Sequence, residues 1–186
     1  MSYHDKPRLA ELLGMPVHRS LLLRKVRSYG ADTPEKLVSL AVQRGCYHYE
    51  NDIKMPFVPK TVLSDEQLAV ALISPNNPFH PHLVRAGAQL LSGDDVNIKM
   101  LVSEAVKERA GEVLLHIAKA GQRSEPDNPK WSQLIQLILQ ACRHLNQVKP
   151  GILPSDSRFR IETGFGDRKK LPRINKTWLR PIRTGS

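Results

Sequence analysis

The chain has 186 residues, 40% of them hydrophobic, enough to bury a core without disulfides or a structural metal. It carries 28 Lys and Arg against 18 Asp and Glu, a formal charge of +10, and only two cysteines, Cys46 and Cys142. This composition argues against a disulfide framework, and no run approaches the roughly 18 consecutive apolar residues of a membrane-spanning helix.

Residues 1–62 read as three short helices. Asp5 is an N-cap candidate with Pro7 in the first turn, and that helix runs to Leu13, where Gly14 stops it. The second runs from about Pro16 to about Ser28. The third takes Asp32 or Thr33 as its cap and Pro34 as its first residue, with Gly45 just past its end. The stretch CYHYENDIKMPFV at 46–58 permits a short β-hairpin, because Tyr47 and Tyr49 share one parity and Glu50-Asn51-Asp52 can turn the chain. Pro56 and Pro59 weaken its second arm.

Residues 63–147 read as a helical core. Ser64 and Gln67 form a capping box opening DEQLAVALIS, and Pro75-Asn76-Asn77-Pro78 ends that helix. From about Pro81 to Ser92, Leu83, Ala86, Leu90 and Leu91 recur at three- and four-residue steps. Ile98, Leu101, Val102 and Ala105 make the next stripe. Gly111 either ends that helix or lies inside a longer one reaching Ala120. The last helix, from about Pro129 to Leu145, has the best amphipathic pattern, built on Trp131, Leu134, Ile135, Ile138, Ala141, Cys142 and Leu145.

Residues 148–186 change character. Pro150, Pro154, Pro172 and Pro181 interrupt a stretch with little apolar periodicity, which predicts an extended basic tail. Phe159, Phe165 and Trp178 offer points at which it docks on the body. Charge follows the same divisions. Residues 1–63 hold 10 Lys/Arg against 6 Asp/Glu, residues 64–146 hold 8 against 9, and residues 147–186 hold 10 against 3. The fold class expected is mainly α: a compact multi-helix bundle or short helical array, with an optional hairpin near 46–58 and the basic tail.

Two segments carry a nucleic-acid signal. Ala10, Gly14 and Leu21 fit helix-turn-helix spacing approximately, so that Arg19, Arg24, Lys25 and Arg27 would face phosphates or base edges. Leu21, Leu22 and Leu23 point three ways around such a helix, however, which favours a packed corner whose Arg stems lie over the core. A second frame takes 16–28 and 34–44 plus the hairpin as a winged helix, read by Lys36, Ser39, Gln43 and Arg44. In the tail, Arg158, Arg160, Arg168, Lys169, Lys170, Arg173, Lys176, Arg180 and Arg183 recur among Phe159, Phe165 and Trp178. Cations release counterions from phosphates and aromatics stack on exposed bases.

Other chemistry finds less support. The C-x-H pairs at 46–48 and 142–144 invite a zinc site. Within a helix, though, Cys142 and His144 stand about 200° apart. His80-Pro81-His82 fits a helix start better than ligation. Glu104, Glu108, Glu112 and His116 form a four-residue stripe that reads as a solvated face, with Lys107 and Lys119 near enough to pair. Neither G-x-x-x-x-G-K-S/T nor G-x-S-x-G occurs.

The expectation is therefore a non-enzymatic nucleic-acid-associated protein that binds DNA or RNA phosphates through its tail and N-terminal helices, with no cofactor. The alternative is a helical protein–protein adaptor whose basic tail contacts an acidic surface, with a homo-oligomer compatible with either. The opening MSYHDKPRLAELLG lacks a basic-then-apolar leader pattern, and two distant cysteines suit a reducing compartment, so the expected location is cytoplasmic.

Overall fold

Local capping chemistry sets most helix starts in the computed structural model, which describes residues 6–145, 148–163 and 175–182. Helix α1 (Leu9–Leu13) stops at Gly14, whose φ of 71° is the left-handed cap that favours glycine. Ser20 Oγ accepts from Leu23 N to open α2 (Leu21–Ser28), and Thr33 accepts from Lys36 N to open α3 (Pro34–Val42). Ser64 does the same for α4 (Asp65–Ile73), and the His80 ring accepts from His82 N at the head of α5 (Pro81–Leu91). Asn97 caps α6 (Ile98–Lys107) and Asn128 caps α8 (Pro129–Ala141), with α7 (Gly111–Ser124) between them. The fold is mainly α and compact.

Helix α4 lies at the centre. Its run Leu68–Ile73 is buried on all sides, as expected of a helix apolar around its whole circumference. It packs on α2, α3, α5 and α6, while α7 and α8 pair beyond it. At the α7–α8 crossing a Cβ on Gly121 would lie 2.4 Å from the Trp131 ring, so only glycine admits this approach. One cluster of buried apolar side chains runs from Leu9 to Leu179 and takes in all three segments of the chain.

Several expected boundaries moved. Helix α2 starts at Leu21 rather than Pro16, because tertiary partners hold the backbone before it. His18 N donates to Asn76 Oδ1, and the Glu108 carboxylate accepts from Ser20 Oγ and from Leu22 N. Segment 46–58 forms no hairpin. It holds a 3₁₀ turn at Tyr47–Tyr49, and the Gln43 side chain takes the backbone groups a partner strand would have used. Gln43 Nε2 donates to the carbonyls of Met55 and Pro56, and its Oε1 accepts from Val58 N. Gly111 neither ends a helix nor sits inside one; it begins α7, after a break at which Arg109 adopts a φ of 53°. Helix α8 ends at Ala141, four residues before Leu145.

The described part of the C-terminal segment makes a 3₁₀ turn at Asp156–Phe159 and then a two-stranded antiparallel sheet, β1 (Arg160–Thr163) with β2 (Asn175–Trp178). The register pairs Arg160 with Trp178 and Thr163 with Asn175. Beyond β2 the chain is strapped to the body. Ser92 Oγ donates to Leu179 O, Gln89 Nε2 to Arg180 O, and Ile182 N to Gly45 O.

Candidate nucleic-acid interface

Helix α2 sorts its three consecutive leucines by packing. Leu22, Leu23 and Val26 are buried, whereas Leu21 is 70% exposed. That rotation puts Arg24 and Arg27, three residues apart, on the outward side, with Arg19 exposed just ahead of the cap. No Asp or Glu occurs in α2. Its N-terminus is closed from the inside by Glu108, 4% exposed, where a carboxylate also meets the positive end of the helix dipole. Arg27 lines a hollow of about 340 Å³ with Lys6 and Arg8, between α2, the start of α3 and the turn at 76–78.

The remaining N-terminal candidates are engaged elsewhere. Lys25 donates to Gln67 Oε1 at 2.9 Å. Lys36 pairs with Asp32 at 2.7 Å and by that hydrogen bond holds its carboxyl below the ordinary range. Arg44 is 5% exposed and reads nothing. It donates to the carbonyls of Val58 and Leu63 and lies 3.7 Å from Asp65, itself buried and held at 2.7 Å by Lys60. Ser39 donates to Asn51 Oδ1. Three of the four residues expected as a winged-helix reading face, Ser39, Gln43 and Arg44, thus serve to pin loop 51–63 in place.

In the C-terminal segment Trp178 is not a stacking platform for a base. It is 4% exposed, stacked on Phe159 with centroids 5.2 Å apart and tilted against Trp131 at 4.9 Å. Arg180 forms a bidentate pair with Glu125 at 3.0 and 2.8 Å, and Glu125 also accepts from Trp131 Nε1. Beside this clamp Lys130 donates to Gly93 O, and burial pulls its ammonium down to about 8. Arg123 grips Asp156 through two hydrogen bonds, at 2.7 and 2.8 Å, which lowers that carboxyl. Arg158 stays exposed, Arg160 is half-buried, and Lys176 stands opposite Glu162 in the sheet register. Arg168, Lys169, Lys170, Arg173 and Arg183 lie outside the described residues. Sequence reasoning missed Glu125 as the anchor of Arg180, since 55 residues separate the two and neither marks the other.

The remaining constellations are also placed. Cys142 caps α8 with extended backbone, so the helical separation from His144 does not apply. Both line a hollow of about 330 Å³ with Glu112. Burial and the Glu112 charge push the thiol up, which keeps it protonated and a poor nucleophile. Cys46 is fully buried. Among the described residues no three His, Cys, Asp or Glu side chains gather as a metal site would require. The carboxylate stripe is split by the α6–α7 break. Glu104 pairs with Lys107, Glu108 caps α2, and the His116 ring hydrogen-bonds Pro154 O.

No family model, curated protein or solved structure matches this chain. No helix among the described residues is long and apolar enough to cross a membrane.

Proposed function

We propose that this chain is a non-enzymatic, cytoplasmic nucleic-acid-associated protein that binds phosphates through Arg19, Arg24 and Arg27 together with the basic residues between β1 and β2. The observation that carries the reading is the exposure of Arg24 and Arg27 on a helix free of carboxylates, with Arg19 exposed just ahead of its cap, while Lys36 and Arg180 are paired with acids. Exposed guanidinium groups are what counterion release from a polyanion rewards; Asp32 lies near Arg27 but is itself hydrogen-bonded to Lys36. The β1–β2 register adds a second support. It pairs Thr163 with Asn175, and the sequence between them holds Arg168, Lys169, Lys170 and Arg173 against Asp167 alone.

Binding of a 30-base-pair duplex and a 30-nucleotide single strand, followed by fluorescence anisotropy across a salt series, tests this. Arg24→Gln/Arg27→Gln is expected to reduce the log–log salt slope on the duplex by up to about 1.8, at roughly 0.9 per lost contact. Replacing Arg168, Lys169, Lys170 and Arg173 by Gln is expected to reduce it further. An affinity and slope unchanged in both variants overturn the reading. Deleting 148–186 is not a clean substitute, because it strips Phe159, Trp178 and Leu179 from the core.

The adaptor reading is favoured by one observation, an exposed apolar groove between α6 and α8.

A further inference from the structure

We propose that the groove between α6 and α8 is a docking site for an acidic amphipathic helix of a partner protein. The two helices bury Leu101, Val102, Ala105, Trp131, Leu134 and Ile138 against the body. Above that layer they leave a groove of about 500 Å³ with a floor of Val102, Val106, Leu137 and Ala141. Val106 is 40% exposed and Leu137 only partly covered, so the floor presents apolar surface to water.

The edge of the groove selects the partner. Lys99 and Lys107 line it from α6, two helical turns apart, which places them about 12 Å from each other along the axis. Lys107 pairs with Glu104, whose side chain is 13% exposed, but the lysine's own side chain is 63% exposed and remains open to a partner along the groove. Val106 and Ala141 carry the groove on into the hollow of about 330 Å³ beside Met15 and Leu145, where exposed Arg109 and Arg143 continue the cationic edge. The one carboxylate among the described residues lining either cavity is Glu112, 8% exposed.

An apolar floor bordered by a cationic edge along α6 matches a helix with apolar residues at i, i+3, i+4 and i+7 and Asp or Glu beside that stripe. It suits a sugar–phosphate backbone poorly, since the apolar floor would be desolvated against charge and the neutral donors among the described residues lining the groove are only Ser103 and Gln140. The site is separate from α2 and from β1–β2, so this inference does not depend on polyanion binding there.

The probe is a labelled 16-residue peptide with Leu at those spacings and Glu flanks, titrated with the full chain by anisotropy. Its Lys-flanked twin and a scrambled peptide of equal composition are the controls. The Glu peptide is expected to bind at least about tenfold tighter than either control. Val106→Arg, at an exposed position, should abolish that preference with the thermal melt unchanged. Lys99→Glu/Lys107→Glu should reverse it toward the Lys peptide, a gain that loss of folding cannot produce. Equal binding of all three peptides overturns the proposal. So does competition by a single-stranded oligonucleotide, or a Val106→Arg-sensitive dimer that excludes the peptide.

Discussion

Arg109 and three histidines each cost the fold something that their neighbours explain. Arg109 takes a left-handed conformation at the end of α6, where Ala110 N reaches back to Ala105 O and glycine is the usual occupant. An L side chain there costs about 1–2 kcal/mol. Arg109→Gly is expected to raise stability by about 0.5–1 kcal/mol after the added freedom of the unfolded chain is subtracted, read as a higher urea midpoint. Arg109 also lines the cationic edge, so the same variant should bind the acidic probe less well. His80, His82 and His18 carry the second cost. Burial is the leading cause that lowers all three imidazoles from the ordinary 6.5; Glu35 at 3.6 Å opposes it at His80, where His82, Lys6 and Arg85 add to it. A base with a depressed folded pKa binds fewer protons folded than unfolded. Stability is therefore full above about pH 6.5 and falls as pH drops below it, levelling once the folded groups are themselves protonated. The urea midpoint should be lower at pH 5 than at pH 7.5. The depressed carboxyl of Asp156 does not enter this window, because its stability is lost only below its unfolded 3.8. A midpoint flat between pH 7.5 and 5 would show that the histidines are equally hydrated in both states.

The elements divide by where their determinants sit. Helices α3, α4, α5 and α8 were legible because cap and stripe lie within a few residues: Thr33 with Pro34, Ser64 with Gln67, His80 with Pro81, Asn128 with Pro129. The start of α2 was not legible, since Glu108, 86 residues from Leu22, supplies the acceptor that sets it. Nor was the loss of the hairpin at 46–58, where one side chain, Gln43, replaces a strand as hydrogen-bond partner. The β1–β2 pair was equally hidden, its four-residue strands too short to show alternation. What holds that pair to the body is the stack of Phe159, Trp178 and Trp131. Trp178→Ala is expected to cost about 3–5 kcal/mol in chemical denaturation, the range for truncating a buried aromatic. A loss under 1 kcal/mol would mean that the strands are docked by their backbone alone.

For the whole molecule, placement matters more than the total of +10. Cations that lie near carboxylates across the fold, Arg44, Arg123 and Arg180 among them, act as struts, and charge counting overstates what is left for a partner. Among the described residues, exposed cations stand on the outward side of α2 and at the edge of the α6–α8 groove. The two differ in kind. Arg24 and Arg27 stand on the outward side of α2 around a single exposed leucine, Leu21, and favour phosphates, whereas Lys99 and Lys107 border a continuous apolar groove, which suits a protein helix.

From its sequence alone this protein was determined to be mainly helical, with the starts of α3, α4, α5 and α8 fixed and a lopsided charge, because apolar period, caps and composition act over a few residues or over none. Which leucine of 21–23 turns outward, that Trp178 packs on Trp131, and which arginines stay exposed were settled only by the tertiary structure. Those outcomes depend on carboxylates and rings brought close from 47 to 88 positions away, and contacts at that separation leave no periodic trace in the chain.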